Sequence, residues 1–218
     1  MKNIASIFSV IFLLHLTACA QVNNSSNLPR VRIYDATHDF GPWVKRGKLV
    51  HETVALSPGE LESYFYQDRS GHWFLLSNRI DGINEFLDDE IPKELAIDFL
   101  NERMSFLLLS TMSPAQSYII NDQFLNEFVN VGSLTNFQPF AGNSDFASIK
   151  KLQPYKSDAK PVVAGNDWKL DFNVATHLGG IEKWHVTGQV APLLVRSFCR
   201  EIAEPNGTFT PFSETGNQ

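Results

Sequence analysis

Trp168-Lys169-Leu170-Asp171-Phe172-Asn173-Val174-Ala175 alternates large apolar side chains with mostly polar ones. After Leu178-Gly179-Gly180, the run Glu182-Lys183-Trp184-His185-Val186-Thr187 alternates again. Period two marks half-buried strands, and two such runs joined by glycines predict an antiparallel hairpin. The pattern also selects the loop. A two-residue Gly179-Gly180 turn pairs Ala175 with Trp184 and sets that indole on the polar face. A three-residue loop, Leu178-Gly179-Gly180, pairs Val174 with Trp184 and Phe172 with Val186, which keeps one face apolar. It also puts Gly180 where such loops want a positive φ. The three-residue loop is expected, with His185 across from Asn173 and Asp171 on the diagonal.

On the C-terminal side, Leu194, Val195, Phe198, Cys199 and Ile202 fall at helical spacing, with Arg196, Arg200 and Glu204 opposite. Pro192 suits a first helical turn and Pro205-Asn206-Gly207 is a stop, so residues 192–203 read as a helix rather than a strand. Cys199 is then a small core thiol on its apolar stripe. On the N-terminal side, residues 133–165 are rich in Gly, Pro, Ser, Asn and Lys, yet hold Phe137, Phe140, Phe146 and Tyr155. So long a stretch without periodicity is unusual inside a compact domain. It is either an ordered functional loop pinned by its aromatics or a break between subdomains. Those four aromatics, with Trp43, are the candidate partner-binding patch, because exposed apolar clusters mark interaction sites.

Further upstream, residues 31–34 read as a strand and residues 43–56 as a hairpin turning at Lys45-Arg46-Gly47-Lys48. Ser57-Pro58-Gly59-Glu60 fits a capping box with Pro at the first helical position, followed by Leu61, Tyr64 and Phe65 at helical spacing. Residues 72–76 read as a short strand. Asp89 is placed as the cap of a helix over residues 90–104, with Leu95, Phe99 and Leu100 on one face. The acidic cluster Glu85, Asp88, Asp89 and Glu90 then belongs to a helix start, where carboxylates meet the positive end of the dipole. Ser113-Pro114-Ala115-Gln116 opens a second helix toward Asn130, with Tyr118, Leu125, Phe128 and Val129 inward, ended by Gly132. Together these elements make residues 31–212 a single α+β domain: a mostly antiparallel sheet with three or four helices packed on one face. Residues 213–218 are a frayed end.

The N-terminus is of another kind. Lys2 precedes an apolar run over residues 4–16, about 20 Å long as a helix and too short for a bilayer core of about 30 Å. It fits the apolar region of a signal peptide. Leu16-Thr17-Ala18-Cys19 closes that run and resembles the lipobox of bacterial lipoproteins. The resemblance implies a signal peptide of residues 1–18, lipidation of Cys19 and cleavage before it. Residues 19–30 then form a lipidated, small and polar tether. Ala20 after the cysteine implies the outer membrane, facing the periplasm, for a Gram-negative source. Ala18-Cys19-Ala20 also reads as an ordinary signal-peptidase site that would leave a soluble protein beginning at Gln21.

The chain has 218 residues, a formal charge of −6, 43% hydrophobic residues and two cysteines. The apolar content excludes a disordered chain, and the acidic balance argues against nucleic acid. With Cys19 lipidated, Cys199 is the one thiol left and no internal disulfide can form. His38, Asp39, His51 and Glu52 offer imidazole and carboxylate without any metal-ligand spacing, and the acidic cluster lacks a calcium-loop layout. No metal or cofactor is expected. No phosphate loop, dinucleotide fingerprint or nucleophile elbow occurs. The sequence thus supports a membrane-tethered, extracytoplasmic protein of binding or scaffolding type, attached by its lipid and meeting an envelope protein partner. The alternative is an envelope hydrolase with an acid–base set drawn from His38, Asp39, His185 or Asp171.

Overall fold

The computed structural model describes residues 31–55, 60–113, 117–129, 152–176 and 180–205. Residues Val31–Gln218 belong to one compact unit. Its first sheet has the order β1-β2-β3-β4, all antiparallel: β1 (Val31–Asp35), β2 (Lys48–Ala55), β3 (Glu60–Gln67) and β4 (Trp73–Leu75). The second sheet runs β5-β7-β8-β9, with β6 also paired to β7: β5 (Ser117–Ile119), β6 (Val162–Ala164), β7 (Asp167–Thr176), β8 (Ile181–Val190) and β9 (Leu193–Glu204). Between the sheets in sequence come α1 (Ile80–Glu90), α2 (Ala96–Glu102) and α3 (Met104–Met112), with α4 (Asp122–Val129) after β5. The architecture is α+β, with antiparallel sheets and helices on a shared core.

That core takes in Leu49 and Tyr66 from the first sheet, Leu76 just after β4, and Ile83, Phe86, Phe99 and Leu107 from the helices. From the second sheet come Trp168, Phe172, Trp184 and Val195. α3 is Met-Ser-Phe-Leu-Leu-Leu-Ser-Thr-Met, apolar on most sides, as a helix inside a core should be. Asn84 on α1 ties the helix layer to the second sheet: its amide donates to the Val195 carbonyl (3.0 Å) and its oxygen accepts the Val195 N–H (2.8 Å).

The hairpin exists, with the expected face inward but a different register. Phe172 pairs with Trp184 and Leu170 with Val186, two residues from the expected Val174–Trp184 pairing. The Thr176 N–H donates to the Gly180 carbonyl and the Gly180 N–H to Oγ1 of Thr176, so the ladder closes across that pair and Gly180 lies outside the loop. A two-residue slip preserves which side chains face the core, so hydrophobic alternation alone does not distinguish the two registers. His185 consequently lies directly opposite Asp171, not Asn173.

Residues 193–204 form a strand where a helix was expected. The cause is a bulge. Thr187 pairs with Ser197 but Gly188 with Val195, so Arg196 is an extra residue in β9. Core-facing Leu193 and Val195 are followed by Phe198 instead of residue 197, and the interrupted period of two imitates helical spacing. Gly188 is required there: a Cβ would meet the Leu194 carbonyl oxygen at 2.0 Å and the Trp168 ring at 2.3 Å.

β3 replaces the helix expected from Leu61, Tyr64 and Phe65. Its pairing with β2 puts Tyr64 and Tyr66 on one face and Leu61 and Phe65 on the other, and aromatic-rich segments favour strands. Ser57, Pro58 and Gly59 lie outside the described residues. Residues 43–48 do not form a hairpin: Trp43 ends a 3-10 turn (Thr37–Trp43), and the N–H groups of Lys45, Arg46 and Gly47 donate to the distant Glu90 carboxylate. The expected helix over residues 90–104 begins where α1 ends. Pro92 follows that end, and α2 then buries Phe99 and Leu100 as expected. The acidic cluster therefore sits at a helix C-terminus rather than a start. β5 occupies the first part of the second expected helix, since Tyr118 pairs with Ala175. α4 starts only at Asp122, where Oδ1 of Asn121 accepts the Phe124 N–H (2.8 Å) and caps it. The short strands at residues 31–35 and 73–75 agree with their sequence pattern.

Candidate functional site

The two sheets present outward faces of opposite character. On the first, β1, β2 and β3 align Val31, Val54 and Leu61 in one row, and a row across β2, β3 and β4 aligns Val50, Phe65 and Leu75. Ile33 lies between these rows and Trp73 at the far end, opposite Gln67. Val31 is 50% exposed, Ile33 68%, Leu61 49% and Trp73 43%. The charged side chains sharing this face are Asp35, Lys48 and Glu52, by their place in the register. Antiparallel sheets that meet water on one side normally alternate polar residues onto that side. Here the outward positions are largely aliphatic and aromatic; Val50 is buried among its neighbours, while Val31, Ile33, Leu61 and Trp73 remain exposed.

The middle of the second sheet's outward face is polar and internally tied, between exposed Val162 beside Lys169 and the buried Ala175–Ile181 pair at the other end. Asp171 on β7, His185 on β8 and Cys199 on β9 stand in one row across three strands. His185 Nδ1 lies 2.9 Å from Asp171 Oδ1, and its Nε2 is 3.8 Å from Glu201 Oε2 on the β9 side. Lys169 Nζ contacts the other Asp171 oxygen at 2.7 Å. Burial raises the Asp171 carboxyl, but the hydrogen bonds from Lys169 and His185, with their charges, outweigh it and hold the group below its ordinary range. In the next row Thr187 and Ser197 share a hydroxyl contact of 2.6 Å. Cys199 is exposed on a strand, not buried on a helix. Its earlier placement followed from reading the bulged strand as helical.

Glu90 is the one buried carboxylate among the described residues. Oε2 accepts the N–H groups of Lys45 (2.7 Å) and Arg46 (2.9 Å), and Oε1 accepts that of Gly47 and the Tyr66 hydroxyl (2.8 Å). The Tyr66 hydroxyl also meets Asp89, and the Arg46 guanidinium donates to the Asp89 carbonyl (3.1 Å). Burial, then the adjoining carboxylates, push the Tyr66 phenol far above its ordinary value. Every partner of Glu90 named here is internal, so this cluster fastens the segment between the 3-10 turn and β2 to the helix layer.

The remaining candidates are scattered. His38 and Asp39 are exposed on the 3-10 turn. His51 stacks on Tyr64 with ring centres 4.4 Å apart, and its buried Nε2 is 3.6 Å from Glu62. Glu52 points to the opposite face of β2. Among the described residues no three His, Cys, Asp or Glu side chains gather to hold a metal ion. Tyr155 packs against the apolar cluster that includes Ile120 and Leu152, and its hydroxyl donates to Glu204 (2.7 Å), so it pins its turn to the second sheet. Trp43 packs edge-on against Phe99 at 5.4 Å. Phe137, Phe140 and Phe146 lie outside the described residues, as do Cys19 and the whole tether. The exposed set Val31, Ile33, Leu61 and Trp73 escaped sequence reasoning, because reading β3 as a helix hid the apolar character of both strand faces. Among the described residues no helix is long and apolar enough to cross a membrane. No family model, curated protein or solved structure matches this chain.

Proposed function

We propose that this chain is a lipid-tethered, extracytoplasmic binding protein that holds an envelope component against the outward face of its first sheet, without catalysis. The observation that carries the reading is the exposure of Val31, Ile33, Leu61 and Trp73 together on that face. The tether belongs to the same proposal: a lipobox-like Cys19 and a small, polar run lead straight into β1. For a Gram-negative source, Ala20 assigns the anchor to the outer membrane and the domain to the periplasm.

Two measurements test it together. The intact mass of the mature protein should show an acylated N-terminal cysteine; a chain beginning at Gln21 with no added mass would remove the tether. A photo-crosslinking residue at position 33 should capture an envelope component in whole cells, while the same residue at position 187 on the opposite sheet should not. Equal capture from both positions defeats the proposed face.

A second reading rests on the Asp171–His185 pair. A carboxylate on Nδ1 orients an imidazole, and Cys199 stands opposite His185 on the neighbouring strand, where Nε2 lies 3.8 Å from Glu201. That is the arrangement an envelope hydrolase would use. Its test is hydrolysis of ester and amide probes by the purified chain, with loss in both His185→Ala and Cys199→Ser.

A further inference from the structure

β1 begins at Val31, so residues 19–30 feed directly into the edge strand of the first sheet. The apolar row nearest that junction is Val31–Val54–Leu61. With strands about 4.8 Å apart and alternate residues about 6.8 Å apart, the face from Val31 to Trp73 measures roughly 14 Å by 20 Å.

We propose that the occupant of this face is the phospholipid surface, with Val31, Ile33 and Leu61 at the apolar boundary and Trp73 at headgroup level. The inference rests on the lipoprotein reading and adds to it which side of the domain meets the membrane. Continuity of the tether with this sheet is the first argument. An anchor at Cys19 holds the row beside the surface at an effective concentration on the order of millimolar, so a weak apolar contact suffices for occupancy. Charge is the second. Asp35, Glu52 and Lys48 give the face no cationic cluster, so its affinity is apolar and does not require anionic lipid. Trp73 is the third: an exposed indole has an apolar ring and one polar N–H, the combination favoured at membrane interfaces.

The test uses the mature chain, residues 19–218, with Cys199→Ser so that Cys19 is its sole thiol. It is coupled through Cys19 to a maleimide phospholipid in phosphatidylcholine vesicles, with and without brominated acyl chains. Brominated lipid should quench the part of the tryptophan emission that disappears in Trp73→Phe. Ile33→Asp with Leu61→Asp should reduce that quenching at least threefold with an unchanged circular dichroism spectrum, and added salt should leave it unaltered. Trp168 and Trp184 are buried, so their emission stays unquenched and reports that the fold is intact. Absence of Trp73 quenching in the coupled chain overturns the proposal. So does a concentration-dependent dimer without lipid that Ile33→Asp dissociates, which assigns the face to a second copy. Because the lipid is attached chemically, neither outcome depends on acylation in the cell, which intact mass decides separately.

Discussion

Replacing Glu90 should unfold this domain more readily than almost any other single polar change. Its carboxylate answers three backbone N–H groups and the Tyr66 hydroxyl, and it is 1% exposed. Bonds to a charged group contribute about 1.5–3 kcal/mol each, and a buried donor left unpaired costs about 1–3 kcal/mol. Lys45 and Arg46 are exposed residues, so water recovers part of the loss at their N–H groups. We therefore expect Glu90→Ala to cost about 3–5 kcal/mol, the scale of breaking a buried charged network. For a domain of this size that lowers Tm by roughly 6–20 °C. Glu90→Gln should be nearly as damaging. Both carboxylate oxygens accept, so either amide orientation turns an NH2 group toward donors. Urea unfolding followed by circular dichroism gives the free energy, with Asp88→Asn at an exposed position as control, expected within about 0.5 kcal/mol. A loss below about 1 kcal/mol for Glu90→Ala, with an unchanged m-value, would refute the assignment of Glu90 as the fastening point.

Trp184→Ala should destabilise by about 3–5 kcal/mol, since its ring is buried between Phe172 (5.3 Å) and Phe198 (5.0 Å), whereas His185→Ala on the solvent side should stay near 0.5 kcal/mol by the same urea titration. Cys199 should react quickly with a thiol reagent in the folded, delipidated protein, and labelling that needs denaturant would contradict its place on the outer face. Burial, then Glu62 and Asp39, raise the Tyr64 phenol to about 12. The corresponding stability is complete below the ordinary phenol value of 10.0 and is lost as pH climbs through about 12. Tyr64→Phe should therefore flatten the alkaline end of the stability profile. Asp171 is lowered instead, so its contribution is present above the ordinary value of 3.8 and disappears on acidification; Asp171→Asn should make the acid limb shallower in the same titrations.

The paired strands around Trp168 and Trp184 were legible because large apolar residues alternate there without interruption. What alternation lacks is information about slips of two residues, and the register was settled by the Thr176–Gly180 closure instead. β9 was illegible for the opposite reason: one inserted residue, Arg196, broke the period and made a strand look like a helix. With that insertion in place, Cys199 falls at a helical core spacing in the sequence although it lies on the outer face of β9. The role of Glu90 is hidden because its three backbone donors lie more than forty positions away, and no local pattern announces a partnership at that distance. The polar row Asp171–His185 was visible in part, since both residues were singled out, but their direct opposition depended on the register. The apolar face of the first sheet was hidden by the helical spacing of Leu61, Tyr64 and Phe65.

The amide of Asn84 reaches Val195 across 111 positions of sequence. That separation bears on the order in which the molecule can assemble. The first sheet and the helices are complete in the chain long before β9 is made, yet Ile83 and Phe86 share their core with Val195. Loops this long close late, and folds dominated by them form slowly. A chain made from its N-terminus can thus set α1 against Tyr66 and Phe99 early, but the far side of that helix stays uncovered until the last strand arrives.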